Sequence, residues 1–458
     1  MKNRAFYKKL FALVLPIAVQ NLMTALVSAS DALMLGFLNQ DALSAVSLAT
    51  QAQFVLNLFY AALTIGTTIL AAQYWGRQDA EAVEKVLAVA LRFSMGISLA
   101  FFLAALLAPG GIMRVFTDDP VLIRLGIPYL KIVGWSWLFM GISQIYLCIM
   151  KNSGRTLRST VYGSVAVFLN IALNAVLIFG LFGMPGLGIR GAAIATLISR
   201  AAELLCVLWE NRKKEEVCIR WTALKNGGGV LQRDFCRYTG PVLANELVWG
   251  CGFTMFSVIM GHLGSDAVAA NSIANIVKNI IACFCLGIGS GSGILVGNEL
   301  GRGDLSRAKE YGGRLCRIAL GAGALSGLVL LVFSPLILGF AGTLTPRAKE
   351  YLQVMLLICA YYLVGKSLNS TVVAGIFCAG GDTRFGLLCD AVTMWIVIVP
   401  VGMLAAFVLR LPVLAVYFLL NLDEIIKLPA VYRHYRKYRW VRNLTVQEDS
   451  GAPAAGTS

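Results

Sequence analysis

Acidic residues are scarce inside the apolar runs of this 458-residue sequence, and where they occur is its most chemical feature. Asp31 lies deep in the first run, between VSAS and ALMLGFL. A charge in hydrocarbon is costly, so an acid retained there marks an ion or proton pathway by default. Glu246 lies in the seventh run, shortly after Pro241. Lys278, Lys366 and Asp390 lie in later runs, and Asp382 near a helix end. These five are second-half candidates for contact with an ion or a substrate. The plainer reading of each is a structural ion pair, with Lys278 or Lys366 neutralising Glu246 and Asp390.

Asn170 and Asn174 are one helical turn apart in the fifth run and share a face. Thr196, in GAAIATLIS, can bring a hydroxyl to the same place. With Asp31, the two asparagines offer hard oxygen ligands for Na⁺, or neutral partners around a carboxyl that carries a proton. The alternatives are interhelical amide hydrogen bonds and a threonine bonded to its own helix. Pro16, Pro241 and Pro400 fall inside runs. Each removes a backbone hydrogen bond and permits a hinge. A hinge at Pro16 would couple the charge state of Asp31 to helix bending.

Other chemistries fail on residue type. Eleven cysteines form no CxxC pair, and two histidines, His262 and His434, stand far apart, so no zinc site or disulfide framework is expected. Residues 360–367, AYYLVGKS, match a relaxed phosphate-loop expression. They lie within an apolar helical run, without the preceding strand and glycine-rich loop that cradle a phosphate. No cofactor and no direct use of ATP are expected.

The elements that hold these residues follow from composition. The chain is 58% hydrophobic and 14% charged, against about 45–50% and about 25% in soluble domains. A spanning helix needs roughly 20 apolar residues. Twelve runs qualify: 10–37, 44–75, 86–108, 121–150, 159–182, 189–210, 236–262, 268–300, 306–340, 348–379, 385–409 and 412–432. The first, behind a basic start, is too long for a cleaved signal and reads as a retained span. With the N-terminus inside, Lys and Arg fall about four to one on the inner side, which places both termini in the cytoplasm. The expected fold is an all-α polytopic membrane protein with 12 transmembrane helices in two pseudo-symmetric six-helix bundles. Its parts are an N-terminal lobe, 1–210, a cytoplasmic linker, 211–234, a C-terminal lobe, 235–445, and a disordered tail, 446–458. The basic run of the linker reads as a topology determinant beside anionic lipid, not as a nucleic-acid site.

The two halves repeat at a constant offset. Pro16 pairs with Pro241, Gly36 with Gly261, Asp41 with Asp266, Gly66 with Gly291, Gly76-Arg77 with Gly301-Arg302, and Asp79 with Asp304. Six helices per repeat keep both halves in one orientation, a transporter architecture with the substrate between the repeats. The GR-x-D segments read as turns with a Gly C-cap and an Asp N-cap. Glycines 289, 293, 297 and 301 form a small-xxx-small ladder suited to close helix packing.

These segments resemble the multidrug and toxic compound extrusion (MATE) transporters, a bacterial branch of that family. The resemblance covers nearly the whole chain. It is carried by LPIAVQNLMTALVSASDALMLGFL, the paired GR-x-D blocks, PVLANE at 241–246, NIALN at 170–174, GIRGAAIAT at 188–196, AGGDTRF at 379–385 and RWVRNLT at 439–445. It implies a V-shaped transporter that extrudes organic cations and drugs in exchange for H⁺ or Na⁺ by alternating access. Its first-helix acid, the coupling-ion site, maps onto Asp31, and polar partners map onto Asn170, Asn174 and Thr196. Some members carry a carboxylate where Asn174 stands, so a strict two-carboxylate mechanism does not carry over. The family's seventh-helix acid maps onto Glu246 and that of the GGDT segment onto Asp382. In the first-half counterpart of that segment, NSGRT, Arg155 takes the place of the acid. The expected partners are small organic cations and the bilayer of a bacterial plasma membrane, with the protein acting as a monomer. The rival reading is a flippase for lipid-linked saccharides, which needs more cavity cations than Arg200, Lys278 and Lys366. A membrane enzyme would need a His, Cys or carboxylate cluster that the sequence lacks.

Overall fold

Backbone N–H and C=O groups in hydrocarbon must be satisfied within the segment, so long apolar runs fold as helices. The structure, a computed structural model, describes residues 2–36, 40–183, 185–213, 217–220, 229–340 and 344–445. The first half consists of α1 (Lys2–Gly36), α2 (Gln40–Gly76), α3 (Ala80–Leu107), a short α4 (Pro109–Phe116), α5 (Pro120–Asn152), α6 (Thr156–Phe179) and α7 (Gly188–Arg212). The second half begins with α8 (Gly229–Gly261), α9 (Ser265–Gly301), α10 (Leu305–Phe340) and α11 (Pro346–Asn369). It continues with α12 (Thr383–Ala391), α13 (Val399–Met403), α14 (Val413–Leu420), α15 (Asp423–Ile426) and α16 (Leu428–Tyr435). No strand occurs among the described residues. The layout is that of twelve spans in two six-helix bundles.

Among the described residues, eleven helices are long and apolar enough to cross a membrane. The twelfth span, 412–432, is broken into α14, α15 and α16. Asn421, Asp423, Glu424 and Lys427 interrupt its apolar run, and Pro429 removes a backbone donor at the start of α16. The helix of the eleventh span is also irregular. Wide π turns at Val392–Ile398 and Leu404–Val408 flank the short α13 that contains Pro400. Pro16 and Pro241 lie inside α1 and α8, which continue through them.

The two halves exchange their first helices at one end. Phe6, Leu10 and Val14 of α1 join a core with Ile288, Leu295 and Trp440 of the second half. Leu231 and Phe235 of α8 join a core with Val86, Tyr146 and Val207 of the first. Beside these crossings, α2 and α9 meet through backbone. A Cβ on Gly76 would fall on the Asn298 carbonyl, and one on Gly301 would fall on that of Gln73. Higher along the same seam a Cβ on Gly297 would lie 2.7 Å from that of Ala72, and one on Gly291 would lie 2.8 Å from Val14 Cγ2. Gly66 faces Thr239 in the same way. Every one of these contacts maps onto another, or onto itself, when the repeat offset is applied. The seam therefore lies on the pseudo-twofold axis, at what we call the closed end of the molecule.

The GR-x-D turns differ from expectation in one respect. Asp79 and Asp304 do cap, accepting from the Ala82 and Arg307 amides at 2.9 Å each. The left-handed residues, however, are Gln78 (φ 66°) and Gly303 (φ 80°), not Gly76 and Gly301. The helical turn therefore ends two residues later than a left-handed Gly76 or Gly301 would place it. Their last glycines serve close approach instead.

Gly76→Val and Gly301→Val are each expected to lower stability by at least the ~1–3 kcal/mol of an overpacked core, because the neighbouring atoms are backbone. Gly261→Ala, whose new methyl meets nothing within 4 Å, is expected to change stability by less than ~0.5 kcal/mol. Thermal unfolding of the detergent-solubilised protein checks both.

Candidate functional site

Each lobe encloses a polar interior. In the first lobe, Asn174 Nδ2 donates to Asn170 Oδ1 at 3.0 Å, and Asn170 Nδ2 donates to Thr196 Oγ1 at 3.4 Å. Thr196 also gives its hydroxyl to the Ala192 carbonyl of its own helix at 3.0 Å. The spacing in α6 puts both asparagines on the face turned to α7, so these three expected residues do come together. Asp31 belongs to α1, but its side chain lies outside the described residues. Both asparagines are buried. Their oxygens and that of Thr196 are hard ligands of the kind Na⁺ takes. Arg200 of α7 is occupied by Glu203 at 2.7 Å.

The second lobe holds an ionic network whose centre is in the broken last span. Lys427 Nζ lies 2.8 Å from Asp390 Oδ1 and 3.2 Å from Glu424 Oε2. Lys366 Nζ lies 3.2 Å from Glu424 Oε1. Asn369 Nδ2 donates to both Glu424 Oε2 and the Glu424 carbonyl at 2.7 Å. Asp390 is thus neutralised by Lys427, not by Lys278 or Lys366 as the sequence suggests. Lys278 is 8% exposed and has no carboxylate at ion-pair distance among the described residues. Its ammonium stands 4.5 Å over the Tyr362 ring and is within electrostatic reach of Asp423. Burial makes such charges tolerable only as a mutually compensated set.

Glu246 stands apart from this set. It accepts no hydrogen bond and makes no ion pair with any described residue, although it is within electrostatic reach of Lys366 and Asp390. Three ammoniums, on Lys278, Lys366 and Lys427, face Asp390, Asp423 and Glu424, which leaves Glu246 as the carboxyl group without a paired cation among the described residues. One turn further along α8, Trp249 receives the Lys366 ammonium 5.1 Å over its ring and stacks on Phe253 at 5.6 Å. Phe253 in turn approaches Phe54 of the other lobe at 6.4 Å. A free carboxylate beside an aromatic wall is suited to a flat organic cation.

Asp382 is not part of this network. It precedes α12 and pairs with His434 at 2.7 Å, and His434 stacks on Phe385 at 3.9 Å. In the first-half counterpart, Arg155 lies 3.7 Å from Glu210, which also binds Arg158 and Lys213.

The sequence reading missed Glu424, Lys427, Asp423 and Asn369. The available signal was the polar cluster 421–427 within an otherwise apolar last run. It also missed a pair set by the repeat. Gln20 and Asn245, each four residues past its proline, keep a buried amide oxygen with no partner among the described residues.

Lys427→Met is expected to cost ~3–5 kcal/mol, because it leaves Asp390 without a paired cation and takes one of two lysines from Glu424. Adding Asp390→Asn, which leaves the Lys366–Glu424 pair in place, is expected to restore part of that loss. Thermal unfolding of the single and double variants measures the difference.

Comparison with known proteins agrees with this architecture. The sequence profile of the family described as MatE matches residues 16–176 and 241–404, once in each half. An uncharacterised transporter, YisQ of Bacillus subtilis, is 24% identical over 94% of this chain and 95% of its own length. NorM of Bradyrhizobium diazoefficiens, named a probable multidrug resistance protein, is 28% identical over 86% of this chain and 85% of its own. In fold, the chain is similar to the Vibrio cholerae MATE transporter VcmN, with a TM-score of 0.86, 19% identity and coverage of 95% and 97% of the two chains.

Proposed function

The chain belongs to the MatE family of membrane transporters, and from that premise we propose that it exports drug-like organic cations in exchange for H⁺ or Na⁺. The observation that carries the reading is Glu246, a carboxyl group without a paired cation among the described residues, three residues before Trp249 and on the helix that also carries Phe253. The printed names of relatives such as NorM as multidrug resistance proteins support the same substrate class. The proposed setting is the cytoplasmic membrane of a bacterium, with both termini inside and one chain as the working unit.

In the proposed mechanism the closed end faces the cytoplasm, and the state described opens outward. An organic cation binds with its charge toward Glu246 and its ring along the Trp249–Phe253 wall. Lys366 already occupies the Trp249 face, so the substrate displaces it toward Glu424. In the first lobe, Asp31 binds the coupling ion, with Asn170, Asn174 and Thr196 as neutral oxygen partners. Ion and drug occupy the protein in opposition. Release of one permits the seam between α2 and α9 to part and the far end to close. Pro16, Pro241 and Pro400 are proposed as the bending points. Asp382 and Asp390 act as structural partners of His434 and Lys427 in this scheme, and Lys278 as a compensating charge within the lobe.

The flippase reading is weaker because a pyrophosphate needs several free cations. Of Arg200, Lys278 and Lys366, the first and last are paired with carboxylates, and Lys278 is the one without an ion pair among the described residues.

The test is efflux of ethidium from proteoliposomes under imposed H⁺ and, separately, Na⁺ gradients. Wild type is expected to export under one of them, and Asp31→Asn to abolish the dependence on that gradient. Glu246→Gln is expected to weaken ethidium binding about tenfold or more, the ~1.5–3 kcal/mol of a contact to a charged group. Lys366→Met removes a competing cation and is expected to tighten it. Wild-type liposomes that show no gradient-driven efflux would sink the proposal.

A further inference from the structure

The last described residues form a strap across the seam. After α16 the chain reverses at Tyr438, which is left-handed (φ 51°), and runs back as Arg439–Thr445 over the ends of α2 and α9. Its hold on the second lobe is deep. Trp440 is 0% exposed, stacks on Tyr435 at 5.6 Å and donates Nε1–H to the Tyr435 carbonyl at 3.4 Å. Its ring packs on Gly312, and its carbonyl fills the space a Cβ on Gly380 would take.

Its hold on the first lobe is different in kind. Gln73 of α2 accepts from the Leu444 amide at 2.7 Å and donates to the Arg442 carbonyl at 3.2 Å and the Ala379 carbonyl at 2.7 Å. Arg77 donates to the Thr445 carbonyl at 2.9 Å. Leu444 adds a part-buried side chain to the first-lobe core. One glutamine and one exposed arginine thus carry most of this grip through backbone groups of the strap. The strap braces itself for the purpose, since Asn443 Oδ1 accepts from both the amide and the hydroxyl of Thr445 at 3.0 and 2.6 Å.

The repeat shows that the arrangement is one-sided. The counterpart of Gln73 is Asn298, which lies at the same level of the seam, and its buried side-chain oxygen has no partner among the described residues. The strap satisfies the first-lobe amide and not the second. Nothing in helix packing requires this difference. It arises because the strap is anchored in one lobe and reaches over to the other.

We propose that residues 439–445 are a releasable latch, fixed to the second lobe by Trp440 and pinned to the first by Gln73 and Arg77, which sets how readily the closed end opens. The inference rests on the alternating-access reading above. Gln73 and Arg77 are positioning residues in it, since they act on the seam and not on the transported molecule. On release, the strap moves with the second lobe, because the Trp440 anchor is wholly buried, whereas the first-lobe contacts, the part-buried Leu444 apart, are polar and can be taken over by water.

Hydrogen exchange followed by mass spectrometry on the full-length protein in lipid nanodiscs tests this, with Gln73→Leu and Arg77→Gln compared with wild type. The latch predicts at least a tenfold rise in amide exchange in segments 66–79 and 296–304 together, the two faces of the seam. Segment 428–440 is expected to exchange as in wild type. Arg77→Gln, an exposed substitution, supplies the answer if Gln73→Leu does not fold. Unchanged exchange in the two seam segments would overturn the latch, as would loosening that spreads to 428–440, which marks a merely structural role. Ethidium efflux on the same samples separates this inference from the function it rests on. Seam opening without gradient-driven efflux in any sample leaves the latch standing and removes the export reading. Efflux with a wild-type seam in both variants does the reverse.

Discussion

The constraint on which the rest depends is the backbone contact between α2 and α9 at the closed end. Two long helices can approach this closely only where one of the facing residues lacks a Cβ. Gly76 against Asn298 and Gly301 against Gln73 meet that condition, one glycine from each helix. The contact fixes the pseudo-twofold axis and therefore the placement of the two polar interiors on either side of it. It is also brittle. A surface of glycine and carbonyl groups offers little apolar area to hold it shut, so closure draws on the crossed ends of α1 and α8 and on the strap.

The two interiors are built on different physical terms. Among the described side chains, the first-lobe group is made of neutral amides and a hydroxyl, whose mutual hydrogen bonds cost little to bury. The second-lobe network is made of charges, which are tolerated only because Lys427 is shared between two carboxylates and Glu424 between two lysines and an asparagine. Asp423 and Glu424 stand four and three residues before Lys427, so helical spacing gives them one face, and Glu424 and Lys427 meet Lys366, Asn369 and Asp390 from it. The repeat symmetry is therefore kept in the seam and abandoned in the interiors.

Most of the helices could be read from the sequence, because apolar runs of this length have no other way to satisfy their backbone. The repeat was equally legible, since the prolines, glycines and acids that carry it are single residues at one offset. The Asn170–Asn174–Thr196 group was recognisable because helical spacing alone puts its first two members on one face. The ion pairs were not. Lys366 and Glu424 are far apart in the chain, and nothing local to either states which of several buried partners it meets. The GR-x-D turns were read half correctly for a related reason. An Asp cap is a local hydrogen bond, whereas the role of the preceding glycine depends on a helix of the other lobe.

By itself, then, the sequence determined a membrane protein of twelve spans in two like-oriented halves, with Asp31 and Glu246 as charges set in apolar surroundings. Those are consequences of solvation and periodicity, which act along the chain. Only the tertiary structure decided that Lys427 compensates Asp390, that Glu246 is left without a paired cation among the described residues, and that a strap closes over Gln73. These depend on distances between segments from tens to hundreds of residues apart, where Coulomb energy and packing are set by through-space geometry and leave no trace in local composition.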